Sequence, residues 1–298
     1  MGSKRLCRGE QWALTRHRRL REDRSKLRDE EAIMFAKIKH LAIVSENSFL
    51  LGRFYESVFK MRTSERTRPT STVVGDGYVG LNINSRKSGR QGGFDHFGFE
   101  VEDVERVFSR FRAKYPTVRV LKRPATRPFA GISTHDPAGN VFDLSQKGME
   151  NRRSVYDEEE RQQTRTVSHV ALRTVMPEEL AQFYADVFDL RPMEKPAGDR
   201  NFYLSDGRIT LMIMPWEITD FDGTGIERPA LDHMGFKVEN VENFKDELRN
   251  LSEKNHHLSP SPVGGGPEGK ARLELFKKCP FGKFHLADPD GVLIDVCD

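Results

Sequence analysis

Apolar residues recur along this chain with two different periods, and the same arrangement of them appears twice. In IKHLAIVSENSFLLGRFYESVFKM, from Ile38, and VSHVALRTVMPEELAQFYADVFDL, from Val167, a short apolar run with a histidine at its third position gives way to apolar residues spaced by three and four. Leu51, Phe54, Tyr55 and Val58 in one copy, and Leu180, Phe183, Tyr184 and Val187 in the other, fall on one helical face. The spacing predicts a strand followed by an amphipathic helix containing FYxxVF. A Ser start in the first copy and a Pro-Glu-Glu start in the second suit a helix N-terminus.

Two further pairs extend the repeat. FDHFGFEVEDVERVFSRFRAKY from Phe94 matches LDHMGFKVENVENFKDELRNL from Leu231, again a strand with a histidine leading into a helix. HDPAGNVFDLS from His135 matches ADPDGVLIDVC from Ala287, where a DPxG turn launches a strand carrying an aspartate. Weaker strand signals follow the first helix of each half, STVVGDG and YVGLNINS in one, NFYLSDG and ITLMIMP in the other. Each half then reads as two βαβββ units, an α+β fold in tandem.

The separation of matching residues grows from the first pair to the third, so the second copy carries insertions. Loop signals place them around Phe221 to Pro229 and in the Gly/Pro-rich run from Pro262 to Gly282. GGGPEG, from Gly264, lacks the Lys-Ser/Thr of a phosphate-binding loop and is expected to be a mobile loop or lid that opens no helix. The predicted organisation is a charged tail over 1–33, a first module over 35–147, a charged aperiodic linker over 148–164 and a second module over 165–298.

Composition narrows the classes of function. The 298 residues suffice for two cores, and 48 Lys plus Arg against 45 Asp plus Glu leave no broad basic footprint for nucleic acid. No run approaches the roughly 20 apolar residues needed to cross a bilayer, and no signal peptide is evident. Cys7, Cys279 and Cys297 are far apart and lack CxxC spacing, so they read as free thiols of a cytoplasmic protein. His256 and His257 follow a charged helix end and are assigned to the surface.

The paired DH(F/M)GF and DPxGxxxD segments, over roughly Phe35 to Asp298, resemble the vicinal-oxygen-chelate superfamily, which includes glyoxalase I, extradiol dioxygenases, epimerases and antibiotic-resistance proteins. The resemblance implies two incomplete-barrel modules with helices outside. It also implies two ligand sets for a divalent metal: His40, His96 and Asp143 in the first module, and His169, His233 and Asp295 in the second. Alternation alone leaves the face of His40 open, because Ile38, Leu41 and Ile43 do not share one parity. The chain equally permits swapped sites that join His40 with His233 and Asp295, or His169 with His96 and Asp143.

Two imidazoles and a carboxylate suit Fe(II) first, with Mn(II), Zn(II) or Ni(II) as alternatives. Aspartate is shorter than the glutamate usual in the family at this position. By analogy with two-module extradiol dioxygenases, the expected activity is metal-dependent ring cleavage of a small substrate with adjacent oxygens, catecholic or aromatic, worked by the second module. Those enzymes carry a further histidine ahead of the second ligand strand, which is absent between His169 and His233 here, and a tyrosine where this chain has His285, which becomes the candidate proton donor. The rival readings are a glyoxalase-like lyase, isomerase or epimerase, and a non-catalytic binding protein. Trp216 and Phe221, with Met212 and Met214, are candidates for an aromatic pocket. Homo-oligomerisation is left open; nucleic-acid and membrane partners are not expected.

Overall fold

The computed structural model describes residues 34–64, 70–124, 129–148 and 163–298. The tail expected over 1–33, and all of the expected linker but its ends, lie outside them. In chain order the first copy contains β1 (Ala36–Ser45), α1 (Ser48–Phe59), β2 (Arg62–Thr63), β3 (Ser71–Gly75), β4 (Gly80–Ser85), β5 (Gly93–Val101), α2 (Val104–Lys114), β6 (Val120–Lys122), β7 (Ile132–His135) and β8 (Val141–Gln146). The second contains β9 (Thr166–Thr174), α3 (Pro177–Phe188), β10 (Arg191–Pro192), β11 (Phe202–Ser205), β12 (Thr210–Pro215), α4 (Ile218–Thr224), β13 (Leu231–Lys237), α5 (Val241–Lys254), α6 (Gly266–Phe276), β14 (Phe284–Ala287) and β15 (Leu293–Cys297).

Each copy builds one open sheet. The first has the order β2-β3-β4-β1-β5-β8-β7-β6 and the second β10-β11-β12-β9-β13-β15-β14, so neither closes into a barrel. The two histidine-bearing strands lie side by side and antiparallel at the centre, β1 with β5 and β9 with β13, and the aspartate-bearing strand runs parallel to the second of them.

The repeated helices start and stop for local reasons. Asn47 caps α1 by accepting from the Leu50 amide, whereas α3 opens on Pro177 with Glu178 and Glu179 in its first turn, where acidic charge complements the dipole. Both end at a left-handed residue, Lys60 and Asp189. Their apolar faces meet the other copy: Phe59 stacks on Phe236 with ring centroids 3.9 Å apart, and Phe188 stacks on Phe99 at 4.2 Å. One apolar core therefore runs through both copies, and each such ring contributes roughly 1.5–3 kcal/mol on burial.

Reciprocal polar contacts tie the copies together. Tyr55 donates to Asp288 and Tyr184 to Asp136, both at 2.8 Å, while those aspartates also accept backbone N–H groups of their own DPxG turns. Asp206 likewise accepts from the Ile38 amide at 2.7 Å and Asp76 from the Val167 amide at 2.8 Å, each carboxylate anchoring the first strand of the other copy.

Register shifts explain why alternation does not resolve the face of His40. The register of β1 against β5 skips Lys39 and Asp95, and that of β9 against β13 skips Ser168 and Asp232. Each of these four bulged residues directly precedes one of the four candidate histidines. A bulge adds one residue to the period and re-aims the side chain that follows.

Both insertions of the second copy differ from the expected loops. The segment at Phe221 lies in α4, and GGGPEG opens helix α6 rather than forming a lid, with Gly265 at its N-cap and Pro267 in the first turn. Proline lacks only an N–H that the first turn leaves unpaired anyway, so Gly-Pro there starts a helix instead of breaking it. Among the described residues, no helix is long and apolar enough to cross a membrane.

Candidate metal centre

The six residues singled out as ligands gather in two groups, each within a single copy. His40, His96 and Asp143 form one; His169, His233 and Asp295 form the other, together with Cys279, and within each group the potential donor atoms lie within 4.8 Å of one another. The swapped combinations do not form. Register accounts for the gathering: His40, Gly98, Asp143 and Ser133 are successive partners across β1, β5, β8 and β7, and His169, Gly235, Asp295 and His285 are their counterparts across β9, β13, β15 and β14.

The glycine of DHxGF sits between histidine and aspartate in each row. A Cβ on Gly235 would lie 1.9 Å from Cε1 of His169, and one on Gly282 would lie 1.3 Å from Asp295 Oδ1. The second centre thus occupies space that only glycine leaves free.

The bulged aspartates orient the second histidine of each set. His96 Nδ1 is 2.7 Å from Asp95, and His233 Nδ1 is 2.7 Å from Asp232. A carboxylate at Nδ1 takes the N–H and turns the Nε2 lone pair toward the site, the usual support for a metal-binding imidazole. Asp232 is itself buried against Arg173 at 2.7 Å and Arg272 at 2.6 Å. Although burial opposes its charge, Arg173, His233 and Arg272 hold its carboxyl well below the usual range.

The two centres differ in how their aspartate is balanced. Asp143 accepts a hydrogen bond from Ser133 and stands 3.2 Å from His96 Nε2, while His40 Nε2 is 3.4 Å from the same nitrogen. Burial disfavours both charges, yet Asp143 and Asp95 lift His96 to about 9 and His96 brings Asp143 down to about 2. Phe129 stacks on His40 at 4.7 Å and covers that centre.

In the second copy both oxygens of Asp295 and Nε2 of His285 are buried without a hydrogen-bond partner. His169 Nε2 stands 3.5 Å from one oxygen and His285 Nε2 3.4 Å from the other. Burial pushes His169 and His285 down, which favours neutral imidazoles with free lone pairs, and burial pushes the Cys279 thiol up. Both Asp295 oxygens face imidazole nitrogens at 3.4–3.5 Å without a hydrogen bond, and a cation between them would engage carboxylate and nitrogens together. The donor set therefore fits a divalent metal.

A cavity of about 390 Å³ reaches this second centre, with Arg173, Met212, Asp232, His233, Phe276 and Cys279 in its wall. Met214 lines it too, but the expected aromatic pair does not. Trp216 donates its indole N–H to the Ile226 carbonyl, and Phe221 is 51% exposed. The apolar wall comes instead from Phe276, at the end of the inserted helix. His285 faces Asp295 rather than the cavity.

The model of the Glyoxalase/Bleomycin resistance protein/Dioxygenase superfamily matches residues 37–144 and 166–296, one match to each sheet. The chain belongs to this superfamily. Among solved structures, this superfamily member is similar to the Mn(II)-bound glyoxalase from Novosphingobium aromaticivorans, with 15% identity, a TM-score of 0.60, and 88% of this chain and 82% of that one covered. It is also similar to the 2,3-dioxygenase LapB from Pseudomonas sp. KL28, at 16% identity and TM-score 0.57, covering 87% and 91%. A third is homoprotocatechuate 2,3-dioxygenase from Arthrobacter globiformis, at 14% identity and TM-score 0.59, covering 87% and 78%. At these identities the likeness is one of fold. No curated protein sequence matches.

Several site residues of this superfamily member escape the sequence reading. The aspartate ahead of each DH histidine is visible in the repeat, and its recurrence was the available signal for Asp95 and Asp232. Cys279, Arg272 and Phe276 have no counterpart in the repeat, because they arrive on the insertion.

Proposed function

We propose that this protein is a metal-dependent enzyme acting on a small substrate with two adjacent oxygens, and that its second module does the work. His169, His233 and Asp295 would hold the ion. The observation that carries this reading is the buried Asp295 carboxylate, without a hydrogen-bond partner, in one group with His169 and with His233, which lines a cavity. The first triad, with Asp143 satisfied by Ser133 and His96, is assigned a supporting role.

A divalent ion there would supply Lewis acidity and lower the pKa of a hydroxyl bound to it. Fe(II) is the first choice for a two-histidine, one-aspartate set, with Mn(II), Zn(II) or Ni(II) as alternatives. The chain's own contributions are orientation and proton handling. Asp232 fixes the His233 ring, Met212, Met214 and Phe276 exclude water from the cavity wall, and His285 is proposed to carry a proton beside Asp295.

The reaction class follows from how many protein atoms hold the ion. With three, enough positions remain for both oxygens of a catechol and for dioxygen, which supports extradiol-type ring cleavage. The second reading, a lyase or isomerase, is favoured by the thiol of Cys279 beside both imidazoles. A fourth donor leaves room for the two substrate oxygens alone.

The test is anaerobic purification with quantification of bound metal, followed by two assays. Catechols are scored for oxygen uptake and a ring-opened product, and a hemithioacetal and an epimerisable thioester for conversion. Turnover that His233→Ala abolishes and His96→Ala retains supports the second module as the working half. Tight ligand binding without turnover would overturn the enzymatic reading in favour of sequestration.

A further inference from the structure

Cys279 lies on the strap between α6 and β14, a segment that the second copy has gained as an insertion. Its amide donates to the Phe276 carbonyl at 2.9 Å, which turns the chain at the end of α6. Phe281, two residues on, packs against the His169 ring at 5.0 Å, and Gly282 lets Asp295 approach. The strap therefore closes directly over the row of His169, Gly235 and Asp295.

The thiol is set among donors rather than only among apolar groups. Cys279 Sγ is 3.6 Å from His233 Nε2 and 4.0 Å from His169 Nε2, and His169 Nε2 is 3.5 Å from Asp295 Oδ2. With ligand bonds of about 2.3 Å to sulfur and about 2.0–2.1 Å to nitrogen and oxygen, the edges of a tetrahedron are about 3.6 Å for S···N and about 3.4 Å for N···O. The observed separations fall within about 0.4 Å of those edges. Octahedral neighbours would stand nearer to about 3 Å. Asp295, 1% exposed and with no hydrogen-bond partner for either carboxylate oxygen, is the independent observation that points to a cation here.

We infer that Cys279 is a fourth protein donor to the metal of the second module, as a thiolate completing a His₂-Asp-Cys set. This rests on the reading that the second module binds metal. Coordination displaces the thiol proton to solvent and leaves the sulfur lone pair on the ion, with no oxidation or reduction. A thiolate also shifts the metal preference toward Zn(II) and other ions that accept sulfur.

The experiment uses the full chain in a His96→Ala background, which disables the first triad, and titrates it anaerobically with Co(II). The expected result is about one cobalt per chain, with visible d–d bands and a near-ultraviolet thiolate-to-cobalt charge-transfer band. Cys279→Ser should keep the fold by circular dichroism and keep the d–d bands, lose the charge-transfer band, and bind cobalt about 10–100-fold more weakly. Cys297→Ser should change neither. Stoichiometric cobalt with d–d bands but no charge-transfer band would overturn the thiolate donor while leaving the metal site standing. Failure to bind cobalt in this background would overturn both.

Discussion

Tyr55 and Asp288 belong to different copies of the repeat, yet the phenol of one donates to the carboxylate of the other at 2.8 Å. Tyr184 and Asp136 make the same bond in reverse. The tyrosine of FYxxVF and the aspartate of DPxG thus form a reciprocal clasp between modules. Tyr55→Phe and Tyr184→Phe should each destabilise the protein by about 1–3 kcal/mol, since a buried acceptor loses a donor. The two clasps share no residue, so the double variant should lose about the sum. Chemical denaturation checks this, and an unchanged midpoint in the double variant would mean the clasp is ornamental.

The same clasp predicts a pH dependence. Burial raises the Asp288 carboxyl from its ordinary 3.8 to about 7, against the pull of the Val292 amide and Tyr55. Between those values the folded state holds a proton that the unfolded state has released. The stability this group contributes is therefore fully present below 3.8 and is lost as pH rises through about 7. The stability difference between the wild type and Asp288→Asn should fall with rising pH over that window, by at most about 1.4 kcal/mol per pH unit, and level off above it. A difference that rises instead would contradict the assigned protonation.

Asp232 holds His233 through Nδ1 and is held in turn by Arg173 and Arg272. Asp232→Asn keeps the shape but removes the charge that fixes the ring and pairs the arginines. Metal affinity should fall about 10–100-fold, the usual effect of losing such a partner. Isothermal titration with Zn(II) and Co(II) measures it. An affinity equal to wild type would show that His233 is oriented by other contacts.

Gly235→Ala tests the space between the ligands. The new methyl would need to lie 1.9 Å from Cε1 of His169, so the ring must leave its place. Gly98→Ala meets its nearest atoms at 2.9 Å, an overpacking worth about 1–3 kcal/mol. The expected outcome is loss of metal from the second module in Gly235→Ala with near-native circular dichroism, and retention of it in Gly98→Ala. Equal metal content in both would remove the second module from consideration.

Much of this architecture was legible along the chain. Matching segments recur because a strand must alternate and a helix must place apolar residues at three and four, so a duplicated fold leaves a duplicated pattern. The paired DH(F/M)GF and DPxGxxxD segments stood out for the same reason.

Other features were decided only when the chain folded. Alternation could not assign the face of His40, since Lys39 and Asp95 break the period and such a bulge exists only between paired strands. Which triads form, within or across copies, depends on sheet order, and the sheets bring His40 to Asp143 and His169 to Asp295. Cys279 is a lone cysteine in the sequence, outside every repeat. It reaches the imidazoles because α6 ends where it does. Local pattern determines elements, but a site assembled from distant strands is fixed by register and packing, which no single segment encodes.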